Sequence, residues 1–273
     1  MLSRRTYLQS MGALLAASRF PASAADIDFR TYSDAEKEKF LLSAKIVSAS
    51  EIGHGVTHPV KVQMELAGVI HDASIQIIDK EMPDFFGTDG TRVSMRDSWR
   101  FNIGAYKIDR LLGLNMVAVA VQRAYLSKPA GFSWWVDDVM FEEAERIKKD
   151  IAPPDPESFD RQRSLTYVFD ELILNIDRNL SNLLITKGWK LALIDHSRSF
   201  TAYRGIRNKE NLKRCSRSLF EAMKTLASAS VAKATGAYLV GSERDALLSR
   251  RDRIVEFFQA RIKEKGEENV LFT

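Results

Sequence analysis

Two carboxylates and one amide are spaced as a reacting site would need them. Asp177 and Asn182 bracket four residues in the run Asn175-Ile176-Asp177-Arg178-Asn179-Leu180-Ser181-Asn182-Leu183-Leu184. Asp195 follows in Leu193-Ile194-Asp195-His196-Ser197. One carboxylate can accept or orient the proton of an attacking hydroxyl, while an amide oxygen and a second carboxylate hold Mg²⁺ (or Mn²⁺) against a nucleoside triphosphate. Taken singly, each residue also reads as an ordinary member of a solvated turn. The three together, on one helix–loop–hairpin, read as a site. Arg178, beside Asp177, is placed to position that carboxylate or a phosphate, or else to face solvent.

The elements that must deliver these groups are legible around them. Leu165, Val168, Phe169, Leu172 and Ile176 form an apolar stripe, so a buried helix runs from residue 160 into the polar loop. Short strands over 183–186 and 190–194, joined by Lys187-Gly188-Trp189, return as a hairpin and leave Asp195 at a strand end. Upstream, a strand over 41–50, a glycine-bearing turn over 51–57, a strand through Val60, Val62, Met64 and Leu66, and a strand over 73–78 predict an antiparallel meander. Residues 82–95, with Pro83, Gly87 and Gly90, read as loop. A helix follows, capped within 94–97, with Phe101, Ala105, Ile108 and Leu112 on one face and Gly113 as its left-handed stop. Strands over 116–125 and 132–136 are expected to turn around Pro129-Ala130-Gly131. A charged helix over 142–151, a proline break and helices to the C-terminus complete the pattern, with Arg250-Arg251-Asp252-Arg253 as a polar helix face. The reading is α+β: a small sheet-based lobe over 25–136 and a mainly helical lobe over 137–273.

The motif Asn-x-Asp-Arg-x-x-x-Asn-Leu-Leu followed by Ile-Asp-His-Ser resembles the catalytic loop and metal-binding motif of atypical kinases. Type II phosphatidylinositol 4-kinases, HipA-type toxin kinases and Golgi secretory-pathway kinases share that pattern. The resemblance extends to Ala105-Tyr106-Lys107-Ile108-Asp109-Arg110-Leu111-Leu112-Gly113-Leu114, which is similar to the helix preceding their fourth strand. It implies a two-lobed kinase-like fold using Mg–ATP, with Asp177 as the catalytic carboxylate and Asn182 and Asp195 as metal ligands. It also implies that Gly53, Gly55 and Thr57 form a turn covering the phosphates.

Where those kinases carry Ala-x-x-Lys on the third strand, this chain reads Ala73-Ser74-Ile75-Gln76. Where their helix carries a glutamate, it offers Asn102, with Asp97 a turn or more away. Gln76 facing Asn102 would turn an ion pair into a neutral amide pair, losing a phosphate contact while sparing the metal site. Lys80 and Lys107 are the alternative cations, or else solvated surface residues. Two functions are therefore expected to compete. One is a phosphotransferase acting on a protein, lipid or small-molecule hydroxyl; the other is a catalytically impaired pseudokinase that binds nucleotide or a partner protein. AMP transfer is a third. His54 and His58 lack a third ligand and read as turn residues; Trp134 and Trp135 read as packing at the lobe junction or, alternatively, an adenine stack.

Composition restricts the remaining classes. The 273 residues are 45% apolar and 28% charged, ordinary for a globular protein. Most of the net charge of +4 comes from Arg4, Arg5 and Arg19 in a segment without acids, and the rest of the chain is close to neutral, so no case for nucleic-acid binding arises. That segment, with Arg4-Arg5, a short apolar stretch and Ala22-Ser23-Ala24, resembles a bacterial twin-arginine leader cleaved after residue 24, which implies export to the periplasm. No apolar run is long enough to span a bilayer. The single Cys215 excludes an intramolecular disulfide.

Overall fold

The computed structural model describes residues 31–51 and 59–273. The leader and the turn holding Gly53, His54, Gly55, Thr57 and His58 lie outside the described residues.

The chain enters through α1 (Asp34–Ser43), opened by a capping box in which Ser33 and Glu36 satisfy each other's backbone N–H groups. The apolar run Phe40-Leu41-Leu42 thus ends a helix, and the strand β1 (Lys45–Glu51) starts later than the sequence suggests. A short apolar run fits either period, and burial of Phe40 and Leu41 under the sheet decides it. β2 (Val60–Leu66) and β3 (Val69–Gln76) continue the meander, the latter alternating buried residues with exposed or half-buried ones along its length.

Residues 82–95 are not loop. They form most of a ribbon, β4 (Asp79–Phe86) paired antiparallel with β5 (Arg92–Ser98). Its register shifts between Met82 and Phe85, so Pro83 sits where no ladder hydrogen bond is required of it. Gly90, at φ 79°, supplies the left-handed turn residue at the tip. The ribbon runs directly into α2 (Trp99–Leu111), whose N-cap is Ser98 rather than the 94–97 stretch.

β6 (Ala120–Tyr125) and β7 (Lys128–Trp134) close the first sheet in the order β1-β2-β3-β7-β6, antiparallel throughout. Their turn is Leu126-Ser127, both at positive φ, and not Pro129-Ala130-Gly131. Pro129 is tolerated within β7 because β3 pairs no further along it than Gly131. At Gly131 a Cβ would approach the Trp99 carbonyl oxygen to 3.2 Å, so glycine lets α2 begin close against this strand.

After Trp134 the architecture changes. β8 (Val139–Glu142) leads to the short α3 (Glu143–Lys148) and then the long α4 (Pro156–Ile173). β9 (Leu183–Thr186) and β10 (Leu191–Leu193) form the second hairpin, with β8 on its other side. β11 (Cys215–Ser216), α5 (Arg217–Thr225), α6 (Ser228–Thr235), α7 (Gly241–Lys265), α8 (Glu267–Val270) and β12 (Leu271–Phe272) complete the helical part, β12 pairing in parallel with β11. A single apolar core runs through both parts. Leu193 N–H donates to the Met116 carbonyl at 2.8 Å, and Val117 bridges Leu193, so the second hairpin is tied to the chain segment after α2. Arg250, grouped by the sequence with a polar helix face, is wholly buried. It donates to the carbonyls of Leu172 (2.8 Å), Thr201 (3.1 Å) and Tyr203, and burial lowers its pKa to about 9. Among the described residues no helix is long and apolar enough to cross a membrane.

Candidate active site

α4 stops at Leu174, which takes a left-handed conformation (φ 50°, ψ 58°) that costs a non-glycine residue about 1–2 kcal/mol. The surrounding hydrogen bonds hold it there. Asn175 N–H returns to the Asp170 carbonyl at 2.8 Å, and Phe200 N–H donates to the Ile173 carbonyl at 2.7 Å. The Asn175 side chain then accepts from Asp177 N–H at 3.1 Å, which turns the chain and presents the Asp177 carboxylate. Two residues on, the Asn179 side chain caps a single 3₁₀ turn (Leu180–Asn182) by accepting from the N–H groups of Ser181 and Asn182. Asn182 Nδ2 reaches back to the Asp177 carbonyl at 3.4 Å, and its own carbonyl accepts from Ile194 N–H at 3.2 Å. Asp195 follows at φ 51°, a left-handed position that Asp tolerates better than most residues. All three site residues are half-buried.

Arg178 holds this constellation together from behind. Its side chain is 10% exposed and uses all five N–H donors. Nε and Nη2 grip Asp170 at 2.9 and 3.0 Å, Nη1 donates to the carbonyls of Asn182 (3.0 Å) and Ile194 (2.7 Å), and Nη2 also meets His196 Nε2 at 2.8 Å. Those two carbonyls belong to one metal-ligand candidate and the residue before the other. Burial first, and the Arg178 charge second, hold the His196 pKa well below its ordinary value, so its ring is neutral and Nε2 can accept.

The first lobe contributes Gln76 and Asn102. Asn102 Nδ2 donates to Gln76 Oε1 at 2.5 Å, and Gln76 Nε2 reaches Asp195 Oδ1 at 3.4 Å. Asn102 Oδ1 accepts from His196 N–H at 2.7 Å, and Ser98 N–H donates to the Ser197 carbonyl at 2.9 Å. The start of α2 is thereby locked onto the loop that carries Asp195. Replacing Asn102 with Leu would leave the His196 N–H and the Gln76 oxygen without partners. At about 1–3 kcal/mol for each of the two stranded groups, urea denaturation is expected to show a loss of about 2–6 kcal/mol. A loss under about 1 kcal/mol would contradict this account of the lock.

Of the alternative lysines, Lys107 is engaged by Glu38 at 2.6 Å, and Lys80 lies exposed on β4, directly across the ribbon from Asp97. Trp134 does not offer a free face for adenine: it stacks on His71 at 3.7 Å and donates Nε1–H to Asp137. The sequence reading missed Arg198, which stands three residues after Asp195. Its Nε donates to the fully buried Asp97 at 2.8 Å and its Nη1 to Asp177 at 2.9 Å. Its only sequence signal was its position in the loop that begins at Asp195.

The donor set suits a hard divalent cation shared with a substrate. Among the described residues no cluster of three His, Cys, Asp or Glu side chains could hold a metal alone. Asn182 Oδ1 and Asp195 Oδ2 are oxygen donors that accept no hydrogen bond from the described residues. Mg²⁺ is bound in this way, by one or two protein oxygens completed by phosphates and water.

No known protein-family profile matches the chain, and no curated protein aligns with it. Solved structures do. A Fam20 structure from hydra, solved with sugar, superposes at a TM-score of 0.66 with 16% identity over 93% of this chain and 95% of that one. The Golgi casein kinase with Mn/ADP bound gives 0.60 and 13%, over 87% and 78%. The Helicobacter pylori proinflammatory kinase CtkA gives 0.51 and 10%, over 82% and 98%. At such identities the likeness speaks for the fold, and the chain has the two-lobed kinase-like fold, with an antiparallel sheet lobe followed by a mainly helical lobe.

Proposed function

We propose that the protein is an exported, ATP-dependent phosphotransferase that uses Mg²⁺ or Mn²⁺. The observation that carries this reading is the convergence of Asp177, Asn182 and Asp195 at the junction of a kinase-like fold, braced by one buried arginine. In the proposed step the acceptor's hydroxyl oxygen attacks the γ-phosphorus and its proton passes to the Asp177 carboxylate. The bond from the γ-phosphorus to the β,γ-bridging oxygen breaks, and ADP leaves with the electron pair. Asn182 Oδ1 and Asp195 would hold the divalent ion, whose part is to neutralise phosphate charge. Gly53, Gly55 and Thr57 would cover the phosphates, and Gln76 with Asn102 would keep Asp195 in place as a neutral pair. The acceptor is a protein, lipid or small-molecule hydroxyl. The 1–24 segment supports periplasmic residence after cleavage near Ala24.

The Gln76–Asn102 pair favours a second reading, a pseudokinase that binds nucleotide or a partner protein without transferring phosphate. Thermal melting with ATP, with and without Mg²⁺ or Mn²⁺, tests the shared part of both. A metal-dependent rise is expected, equivalent to about 2.7 kcal/mol at a hundredfold excess over Kd. ATP labelled at the γ- or the α-phosphorus then separates the outcomes. Transfer of γ-label supports the kinase, transfer of α-label means AMP transfer, and a shift with no transfer leaves the pseudokinase. No metal-dependent shift would reject the metal–nucleotide site on which the phosphotransferase reading stands.

A further inference from the structure

Two arginines reach the candidate site, and they differ in what they have left to offer a ligand. Arg178 has every N–H engaged by protein. Arg198 does not. Nε is held by Asp97 and Nη1 by Asp177, while among the described residues Nη2 donates to no protein atom. The side chain is 18% exposed, so it lines the cleft wall instead of waving in solvent. Asp195 also lies close enough to act on its charge.

Asp97 explains why the guanidinium stays there. It is completely buried on β5, and among the described residues its Oδ1 has no hydrogen-bond partner and Arg198 is its one salt-bridge partner. A buried carboxylate without a counter-charge is strongly unfavourable, so Asp97 fixes the Nε end of Arg198 whatever happens at the other end.

A triphosphate placed for attack at Asp177 would bring its γ-phosphoryl oxygens into this corner. The usual N-lobe cation is absent, because the corresponding position is the neutral Gln76, already bonded on both sides. We infer that Arg198 is the cation of the phosphoryl-transfer site: anchored through Nε on Asp97, it binds the γ-phosphoryl oxygens with Nη1 and Nη2, and Nη1 releases Asp177 as it does so. This rests on the phosphotransferase reading above. A guanidinium presents two parallel N–H groups that match phosphate oxygens, which an amide cannot. Release of Asp177 Oδ2 at the same moment frees that carboxylate for the acceptor hydroxyl, so phosphate binding and base availability are coupled. The contact with Asp177 assigns Arg198 to the γ end of the nucleotide and not to the α- and β-phosphates.

The test compares Mg–ATP with Mg–ADP on the full chain. Wild type should be stabilised more by Mg–ATP than by Mg–ADP in thermal melting. In Arg198→Gln that difference should vanish while the Mg–ADP shift remains, and γ-phosphoryl transfer should fall about 10²–10³-fold in kcat, the loss seen when a transition-state donor is removed. Should Arg198→Gln fail to fold with Asp97 stranded, the double variant Asp97→Asn/Arg198→Gln removes the stranded charge and carries the same expectations. Equal stabilisation of wild type by both nucleotides, a retained ATP preference in the variant, or transfer within about threefold of wild type would each overturn the inference alone. A wild type with no metal-dependent shift from either nucleotide would overturn the phosphotransferase reading together with it.

Discussion

Asp195→Asn is expected to abolish the metal-dependent melting shift by ATP, whereas Asp177→Asn keeps the shift and loses phosphoryl transfer by about 10²–10⁴-fold. The two carboxylates are of one residue type and both touch the same cleft, so the contrast must come from what each faces. Asp195 stands at a left-handed strand end, one oxygen toward the Gln76 amide and the other accepting from none of the described residues, on the segment whose Ile194 N–H donates to the Asn182 carbonyl. An oxygen in that setting is a cation ligand, and a neutral amide in its place removes the charge that draws Mg²⁺. Asp177 is 44% exposed, sits ahead of Asn182 and contacts the Arg198 guanidinium. It is placed to take a proton, a task an amide cannot perform, while nucleotide and metal are held by others. Asn is the replacement of choice at both positions because it keeps shape and one acceptor oxygen, so the Gln76–Asp195 and Arg198–Asp177 contacts can persist. Melting with Mg–ATP against apo protein and γ-label transfer, run on both variants, provide the check. Loss of the shift in Asp177→Asn, or its retention in Asp195→Asn, would reverse the assignment of roles.

The parts of this site that were legible in the sequence are those set by neighbours along the chain. Asp177, Asn182 and Asp195 belong to one helix–loop–hairpin, and apolar periodicity, turn residues and two short strands suffice to assemble it. The Gln76–Asn102 contact spans 26 positions and no local pattern announces it; only the family resemblance set the two positions opposite each other. What escaped is what depends on burial of charge. Arg198 and Arg250 look like surface arginines, and Arg178 as readily like a solvent-facing residue as one that positions Asp177 or a phosphate, because arginine is rarely buried. Each is instead held where chain segments cross and leave carbonyls or carboxylates facing inward, and those crossings are fixed by tertiary packing alone. The β4–β5 ribbon was hidden for a different reason. Pro83, Gly87 and Gly90 are breakers in a sheet, yet a two-stranded ribbon with a register shift accommodates them. Without that ribbon in view, Asp97 read only as a distant candidate for the helix acid, and Arg198 had no anchor.

The brace behind the site should matter to stability more than any group lining the cleft. Arg178 and Asp170 are 10% and 11% exposed and joined by two parallel N–H to oxygen bonds, while the remaining guanidinium N–H groups hold the carbonyls of Asn182 and Ile194 and the ring of His196. Truncation to Ala strands a buried carboxylate and frees two carbonyls at once. Breaking a buried pair from one side costs about 3–5 kcal/mol, which for a chain of this size corresponds to a melting temperature lower by roughly 6–20 °C. Lys is not a remedy, because a single ammonium cannot span Asp170 and two carbonyls in one plane, so Arg178→Lys should recover less than half of the loss. The double variant Asp170→Asn/Arg178→Met removes the stranded charge and should be less destabilised than the sum of the single variants, as coupled partners require. Because the same guanidinium sets the spacing between Asn182 and Asp195, nucleotide-dependent stabilisation should fall along with stability in Arg178→Lys even at temperatures where it remains folded. Urea denaturation of wild type and these variants, with Mg–ATP titrated into the folded ones, measures both effects. An Arg178→Lys protein within about 1 kcal/mol of wild type and with an unchanged nucleotide shift would show that the site is braced by something else.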